Sequence, residues 1–267
     1  RAKAGNLNAA LEHLSTQDDI DIIAILDCDF VALPGFLSET LGYFDDPHVA
    51  LVQTPQWFYN QESFEHMRPT DPLAEGDTFH QVILRAKDRR NGVFWCGTCA
   101  LLRVDALREI GGISGETVTE DLETTIHLLR RGWRSRFHPV PLSCGLAPQS
   151  ASQYLVQRKR WATGGFQVLR SAQLATDRRL SIQQRFEFIS SILWWFGAVL
   201  LPLYLVIPPL VALSGVEFID APLGSYLAVF GMYLLVRTLA AVRLSRGFVR
   251  MLPFGSLQLV RVGAIWA

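Results

Sequence analysis

Ile20-Asp-Ile-Ile-Ala-Ile-Leu-Asp-Cys-Asp29 is the stretch whose reading decides the fold. β-Branched residues dominate it, and Ile22 to Leu26 form a short apolar run. Such a run suits a strand covered on both faces, as in a parallel sheet. It stops at two carboxylates, Asp27 and Asp29. Ligands of open α/β sheets bind beyond the carboxyl ends of the strands. Two aspartates at that edge point to an oxygen site for a hard cation such as Mg2+, completed by substrate phosphates. The plainer alternative is a turn, which Asp also favours.

Upstream, Leu7, Leu11 and Leu14 keep helical spacing, which predicts a helix over about Asn6 to Leu14. Lys3 and Gly5 then stand just before its start, where N–H groups and a cation can meet a phosphate. Downstream, Pro34-Gly35 breaks the chain before a short helix to about Phe44, and Val49 to Pro55 reads as a strand. Gln56-Trp-Phe-Tyr-Asn60 mixes aromatic and polar residues, a combination that suits sugar binding or a packed loop. Helices are predicted over 77–87 and 104–110, the second stopped by Gly111-Gly112. Thr117-Val-Thr-Glu120 matches a capping box before a helix that runs to Arg131, which puts Glu120 and Asp121 in its first turn. A strand over 134–140 and a helix over 153–167 follow. The helix groups Gln157, Arg160, Trp161 and Gly164 on one polar and aromatic face. Strands alternating with helices indicate an α/β domain over roughly the first 150 residues.

The 267 residues carry 25 basic and 25 acidic side chains, so nothing in the charge argues for nucleic acid. Charge is unevenly spread. No residue from Phe188 to Val216 is charged, which exceeds the ~20 residues that cross a bilayer as a helix. Pro202 and Pro208-Pro209 should kink or interrupt it. A second run, Ala221 to Val236, extends to Val242 if Arg237 snorkels. Arg178, Arg179 and Arg185 precede the first run and Arg237, Arg243, Arg246 and Arg250 follow the second, with Glu217 and Asp220 between them. That pattern predicts two spans with both arginine-rich sides and the α/β domain in the cytoplasm. Leu180 to Phe188 and Gly247 to Ala267 suit the interface. The opening at Arg1 inside a helical pattern, and the apolar end at Ala267, suggest a fragment.

Cys28, Cys96, Cys99 and Cys144 form no disulfide framework, and the single C-x-x-C lacks two of the four ligands of a structural zinc. Two rival functions arise from these features. Trp95-Cys-Gly-Thr-Cys99 resembles a thiol oxidoreductase box, but no helix follows it to lower a thiol pKa. A membrane transporter or scaffold explains the spans and leaves the acidic clusters without a role.

Lys3-Ala-Gly-Asn6, Asp27-Cys-Asp29, Thr119-Glu-Asp121 and Gln157-Arg-Lys-Arg-Trp161 occur in that order ahead of the apolar runs. The set resembles the processive family 2 glycosyltransferases. Val52-Gln-Thr-Pro-Gln-Trp-Phe-Tyr-Asn60, Lys87-Asp-Arg89, Phe94-Trp-Cys-Gly-Thr98 and Gly111-Gly-Ile are most similar to the cellulose synthase branch of that family. The resemblance implies a partial GT-A-like (Rossmann-like) domain over 1–170 lacking its N-terminal part. An interfacial linker helix over 171–187 and a truncated transmembrane and interfacial region over 188–267 would follow. It implies an inner-membrane, multi-pass enzyme with a cytoplasmic catalytic domain. This enzyme would transfer glucose from UDP-glucose to a growing β-1,4-glucan with inversion and export the chain, with an export partner subunit. Related enzymes use other donors or linkages, as in curdlan, mannan or N-acetylglucosamine polymers.

Carried over by motif, Lys3 and Asp27 would contact UDP, and Asp29 would ligate Mg2+ or Mn2+. Asp121 would be the general base with Glu120 beside it. Gln157 and Arg160 would hold the diphosphate, Trp161 would stack on the terminal sugar, and Cys96 would line the acceptor end. Phe30 and Cys99 depart from the residues common in cellulose synthases, and no gating-loop or PilZ sequence is present before Ala267.

Overall fold

The computed structural model describes residues 2–14, 19–60, 78–215 and 222–244. The chain divides into two compact units, Arg1–Trp194 and Trp195–Ala267.

The first unit opens with helix α1, Ala2–Leu14. Strands β1 (Ile22–Ile25) and β2 (Val31–Ala32) follow, then helix α2 (Phe36–Thr40), which a 3-10 turn extends over Leu41–Asp45. Next come β3 (Val49–Gln53) and β4 (Trp57–Phe58). A π-helical turn over Thr78–Leu84 leads into the short α3, Arg85–Asp88. Strand β5 (Ala100–Arg103) runs directly into α4 (Val104–Glu109), and Gly111 and Gly112 stop that helix with φ of 82° and 95°. Helix α5 (Glu120–Arg130), β6 (Arg134–Phe137), β7 (Ser143–Gly145), α6 (Ala151–Ser171) and α7 (Ile182–Leu193) complete the unit.

The main sheet has the order β1-β5-β3-β6. Strand β5 is antiparallel to both β1 and β3, while β3 and β6 run parallel. This corrects the sequence expectation for the Ile22–Leu26 run. Among the described residues β1 is an edge strand with an antiparallel neighbour, and its Ala24 is exposed. The strand buried along its whole length is β3, Val-Ala-Leu-Val-Gln. An apolar run reports burial in general and does not say which strand lies at the centre.

Side chains alternate across the sheet. Ile25, Leu51 and Leu102 pack with Ala4 and Leu11 of α1 and Leu107 of α4 on one face. Val52 and Leu101 pack with Phe36 and Phe44 on the other. A third cluster joins Leu122 and Ile126 of α5, Val168 of α6 and Phe188 and Ile192 of α7. A separate three-stranded sheet has the order β2-β7-β4.

Two local expectations change. Helix α1 already begins at Ala2, so Lys3 lies in its first turn and not ahead of it. Helix α5 has Thr119, not Thr117, at its N-cap, with no side-chain cap bond. Glu123, one turn in, reaches back to accept from Ser114 Oγ (2.7 Å) and the Thr117 N–H (3.2 Å) and so holds the preceding loop. Among the described residues a capping box forms at α7, where Ser181 and Gln184 satisfy each other's backbone N–H groups.

In the second unit, α8 spans Gly197–Ser214 and α9 spans Leu223–Leu244. Helix α8 continues through Pro202 and Pro208-Pro209, so the prolines do not end it, and it closes at Gly215 with φ of 66°. The uncharged run is instead divided by a 3-10 turn at Trp194–Phe196, ahead of α8. What remains is 18 residues, which rise about 27 Å against the ~30 Å of a hydrocarbon core. Among the described residues no helix is long and apolar enough to cross a membrane. The acidic loop with Glu217 and Asp220, the basic residues Arg246 and Arg250, and the Gly247–Ala267 segment lie outside the described residues.

Helix α7 is tied to the α/β core by one carboxylate. Glu187 accepts from Lys87 Nζ at 2.8 Å and from Arg90 Nη1 at 2.7 Å, with the Lys87 side chain 4% exposed and that of Arg90 54% exposed. Removing one partner of a buried pair strands the other, whereas exposed pairs contribute little. Glu187→Ala should therefore lower the unfolding free energy by about 3 kcal/mol, and Arg90→Ala by less than about 1 kcal/mol. Urea titration of both variants checks the contrast; equal losses would show that Lys87 is not the stranded group.

Candidate active site

The site is built around the loop between Phe94 and Ala100, which the sequence alone does not order. Gln53, fully buried at the end of β3, orders it. Its Oε1 accepts from the Cys96 N–H at 2.8 Å, and its Nε2 donates to the carbonyls of Thr98 (2.9 Å), Cys99 (3.2 Å) and Thr54 (2.8 Å). Thr54 Oγ1 donates to the Cys99 carbonyl at 2.9 Å, and Gln56 Nε2 to that of Cys96 at 3.0 Å. A buried amide is costly unless fully bonded, so these bonds fix one loop conformation. The signal in the sequence is a glutamine ending an otherwise apolar strand.

This loop carries Gly97, with φ of 83°. Lys3 Nζ donates to the Gly97 carbonyl and to Asp27 Oδ1. Asp27 in turn is held by its N–H donating to Thr98 Oγ1 at 2.8 Å. Helix α1, which brings Lys3, is docked by Asn8: its Nδ2 donates to the Ile113 carbonyl and its Oδ1 accepts the Ile113 N–H, both at 2.8 Å.

Asp121 reaches the same glycine from the first turn of α5. A Cβ on Gly97 would stand 3.0 Å from Asp121 Oδ2 and 3.7 Å from Lys3 Nζ. Asp121 Oδ1 accepts the Leu122 N–H at 2.8 Å. Thr125 Oγ1 donates to the Asp121 carbonyl at 2.8 Å and accepts the Trp95 N–H at 3.0 Å, which joins the first turn of α5 to the loop. Burial pushes the Asp121 carboxyl up to about 6, and neighbouring Glu120 adds to the rise, while the Leu122 N–H and Lys3 oppose it. Lys3, Asp27 and Asp121, drawn from positions far apart in sequence, thus converge on Gly97.

Helix α6 packs against the same turn. A Cβ on Gly164 would stand 2.3 Å from Thr119 Cγ2, so only glycine admits this approach, and Gln167 Oε1 accepts the Val118 N–H at 3.0 Å. One and two turns earlier lie Trp161 and Gln157, both half-buried, with Arg160 exposed. The Arg158 guanidinium sits between two rings, 4.3 Å from the Tyr154 centroid and 4.4 Å from that of Trp161. This fixes one face of Trp161 by cation–π attraction. Gln157 Oε1 accepts from Arg158 Nη1 at 3.0 Å.

Asp29 is exposed, two residues beyond Asp27, and its carboxylate has no hydrogen-bond partner among the described residues. No group of three or more His, Cys, Asp or Glu gathers there or elsewhere among the described residues. One or two carboxylates completed by substrate phosphates is nonetheless the donor set that suits Mg2+, and the unengaged Asp29 fits it. An open apolar cleft of about 530 Å³, lined by Ala24, Leu26, Leu33 and Phe36 among others, contains none of the charged residues.

The redox reading does not fit the chemistry. All four cysteines are free. Burial pushes Cys96 well up, with Asp121 adding to it, and burial pushes Cys99 up to about 11. A strand, β5, follows the box where a thiolate-stabilising helix start would be needed.

Residues 22–242 match a family model described as Glycosyl transferase family group 2. The chain belongs to this family. It is 39% identical over 201 residues to a UDP-forming cellulose synthase catalytic subunit of Xanthomonas axonopodis pv. citri (strain 306), an overlap covering 74% of this chain and 27% of that one. It is 37% identical over 212 residues to the UDP-forming cellulose synthase 1 catalytic subunit of Komagataeibacter xylinus, covering 78% and 28%. The chain thus spans little more than a quarter of these relatives. Among solved structures, the mannosyltransferase PcManGT from Pyrobaculum calidifontis, in complex with GDP-Man and Mn2+, superimposes with a TM-score of 0.63 at 17% identity, covering 99% of this chain and 65% of that one. The fold is the GT-A-like α/β fold of glycosyltransferases.

Gly97 is one of the positions where a side chain would be strained. Gly97→Ala forces a left-handed φ on alanine and a 3.0 Å contact on Asp121 Oδ2. It should cost about 1–2 kcal/mol of stability. In a double-mutant cycle with Asp121→Ala, part of that loss should disappear because the crowded oxygen is gone. Strict additivity would show that the two groups do not touch.

Proposed function

We propose that this chain carries the transfer centre of a membrane-associated, inverting, processive glycosyltransferase that moves glucose from UDP-glucose to the end of a growing β-1,4-glucan. The observation that carries the reading is the convergence of Lys3, Asp27 and a base-range Asp121 on Gly97. Similarity to UDP-forming cellulose synthase subunits supports the donor and the product.

Asp121, ionised above about pH 6, accepts the proton of the acceptor hydroxyl. That oxygen forms its bond to the donor C1 as the C1–O bond to the diphosphate breaks, and UDP leaves with the electron pair. Attack opposite the leaving group inverts the anomeric centre. Lys3 and Arg160 offset the negative charge that builds on the diphosphate. Gln157 and Asp27 orient the donor, and Glu120 tunes the base. Mg2+ or Mn2+ held by Asp29 would add Lewis-acid neutralisation of the diphosphate. The face of Trp161 not covered by Arg158 stacks on the terminal sugar, beside Cys96. Holding donor and acceptor in line supplies the orientation.

The membrane part of the proposal rests on the uncharged Phe188–Val216 run. It rests also on the exposed apolar side chains of α8 and α9, among them Leu213, Val229 and Met232. Contiguous apolar surface of this kind marks association with a membrane or partner. On this reading the catalytic unit faces the cytoplasm of an inner-membrane protein, and the product leaves through the membrane with an export subunit.

Asp121→Asn in the full-length enzyme should abolish polymer formation and leave UDP affinity unchanged; normal turnover would refute the base. The rate should fall as pH drops through about 6, because protonated Asp121 cannot accept a proton. Glu120 raises the Asp121 carboxyl, so Glu120→Gln should move this acid limb to lower pH. A limb that stays in place would assign it to another group.

A further inference from the structure

The transfer centre leaves unused an exposed aromatic surface of the α/β unit, on the small sheet that follows Asp29. Val31 and Trp57 both stand opposite Cys144, so the three side chains form one row across β2, β7 and β4. The alternation continues to Tyr59, whose N–H donates to the Gly145 carbonyl at 3.1 Å. Trp57 is 49%, Tyr59 67% and Val31 69% exposed.

The opposite face of this sheet holds the rings in place. Phe58 meets Phe30 edge-on at 5.7 Å. A Cβ on Gly145 would stand 2.5 Å from the Phe30 ring, so glycine is required there. Asn60 clamps the end of β4 by donating to the Ala147 carbonyl at 3.0 Å and accepting its N–H at 2.7 Å. Trp57 and Tyr59 are therefore presented on a fixed strand and not on a loose loop.

The row is continuous with the centre at both ends. Val31 is two residues beyond Asp29, and Gln56, next to Trp57, donates to the Cys96 carbonyl at 3.0 Å. All four side chains of the face are uncharged. The Trp57 indole N–H and Tyr59 hydroxyl have no hydrogen-bond partner among the described residues and lie at the edges of flat apolar rings. That combination suits a neutral pyranose, with an apolar C–H face and hydroxyls around its rim, better than a phosphate or an anionic surface. Two residues along a strand span about 7 Å, more than one sugar ring, which favours a chain over a monosaccharide.

We propose that Trp57 and Tyr59 form a second saccharide contact that holds the polysaccharide acceptor some units away from its reacting end. The nature of the occupant rests on the glycosyltransferase reading above. The experiment measures cellohexaose affinity by calorimetry on the full-length protein with UDP and Mg2+ present, and UDP affinity in parallel. Trp57→Ala and Tyr59→Ala should each weaken cellohexaose binding about tenfold and leave UDP affinity unchanged. Trp57→Phe should keep most of the affinity. Val31→Arg, which places a long charged group over the row from an exposed position, should lose it without disturbing the packed face. Unchanged cellohexaose affinity in both alanine variants overturns the proposal. So does a loss that falls on UDP instead, which would make the row a nucleobase platform. A loss that falls on binding to lipid vesicles, with cellohexaose unaffected, overturns it by assigning the row to the bilayer. Native protein that turns over UDP-glucose but binds no cellohexaose sinks the platform alone. Native protein that neither binds UDP nor consumes the donor sinks the transfer reading with it.

Discussion

One ammonium group ties together the parts of this site. Lys3 Nζ bridges the Asp27 carboxylate, at the end of β1, and the Gly97 carbonyl, in a loop 94 positions away. A cation shared between a carboxylate and a carbonyl is a strong, geometry-specific contact when it is partly shielded from water. It is made only if three other conditions hold. Asn8 must dock α1 on the Ile113 backbone, Gln53 must set the loop, and residue 97 must turn through a left-handed φ. The same absence of a Cβ that lets the chain turn lets Asp121 Oδ2 come close. The geometry of the candidate site and the local backbone conformation are therefore one constraint here.

Much of this architecture is legible in the sequence because its signals are local. The alternation of strands and helices, the stop at Gly111-Gly112 and the helix carrying Gln157 and Trp161 follow from periodicity and turn residues. Where the reading went astray, the deciding interaction is non-local. The Ile22–Leu26 run reads as a central strand, but β3, buried by both of its neighbours and by helices, takes that place. Thr117 fits a capping pattern, yet Glu123 satisfies the loop from inside the helix and the start shifts to Glu120. Gln53 has no functional look in the sequence, and only the fold shows that its amide orders the Cys96–Cys99 turn.

The aromatic segment after β3 shows the same limit in another form. In the sequence Trp57, Phe58 and Tyr59 are three adjacent rings, open to a packed-loop and a sugar-binding reading, with packing favoured. Strand pairing separates them: Phe58 turns inward onto Phe30, and its two neighbours turn outward. The packed reading holds for Phe58, while the exposure of Trp57 and Tyr59 is what the proposed sugar contact builds on. Period-two alternation does this wherever a strand has one covered face.

The charges around Asp121 also bear on the order of events in the proposed reaction. Burial and Glu120 raise its carboxyl, while Lys3 lowers it. Lys3 is also the cation that a donor diphosphate would draw toward itself. As the ammonium is shared with the arriving phosphates, its hold on the Asp121 charge weakens, and the carboxylate gains proton affinity. A base strengthened in this way becomes fully competent only once the donor is in place. Before that, Lys3 keeps it weaker, and an acceptor hydroxyl bound without a sugar nucleotide is less readily deprotonated. In the proposed reaction, the contact that assembles the site thus also links donor binding to activation of the acceptor.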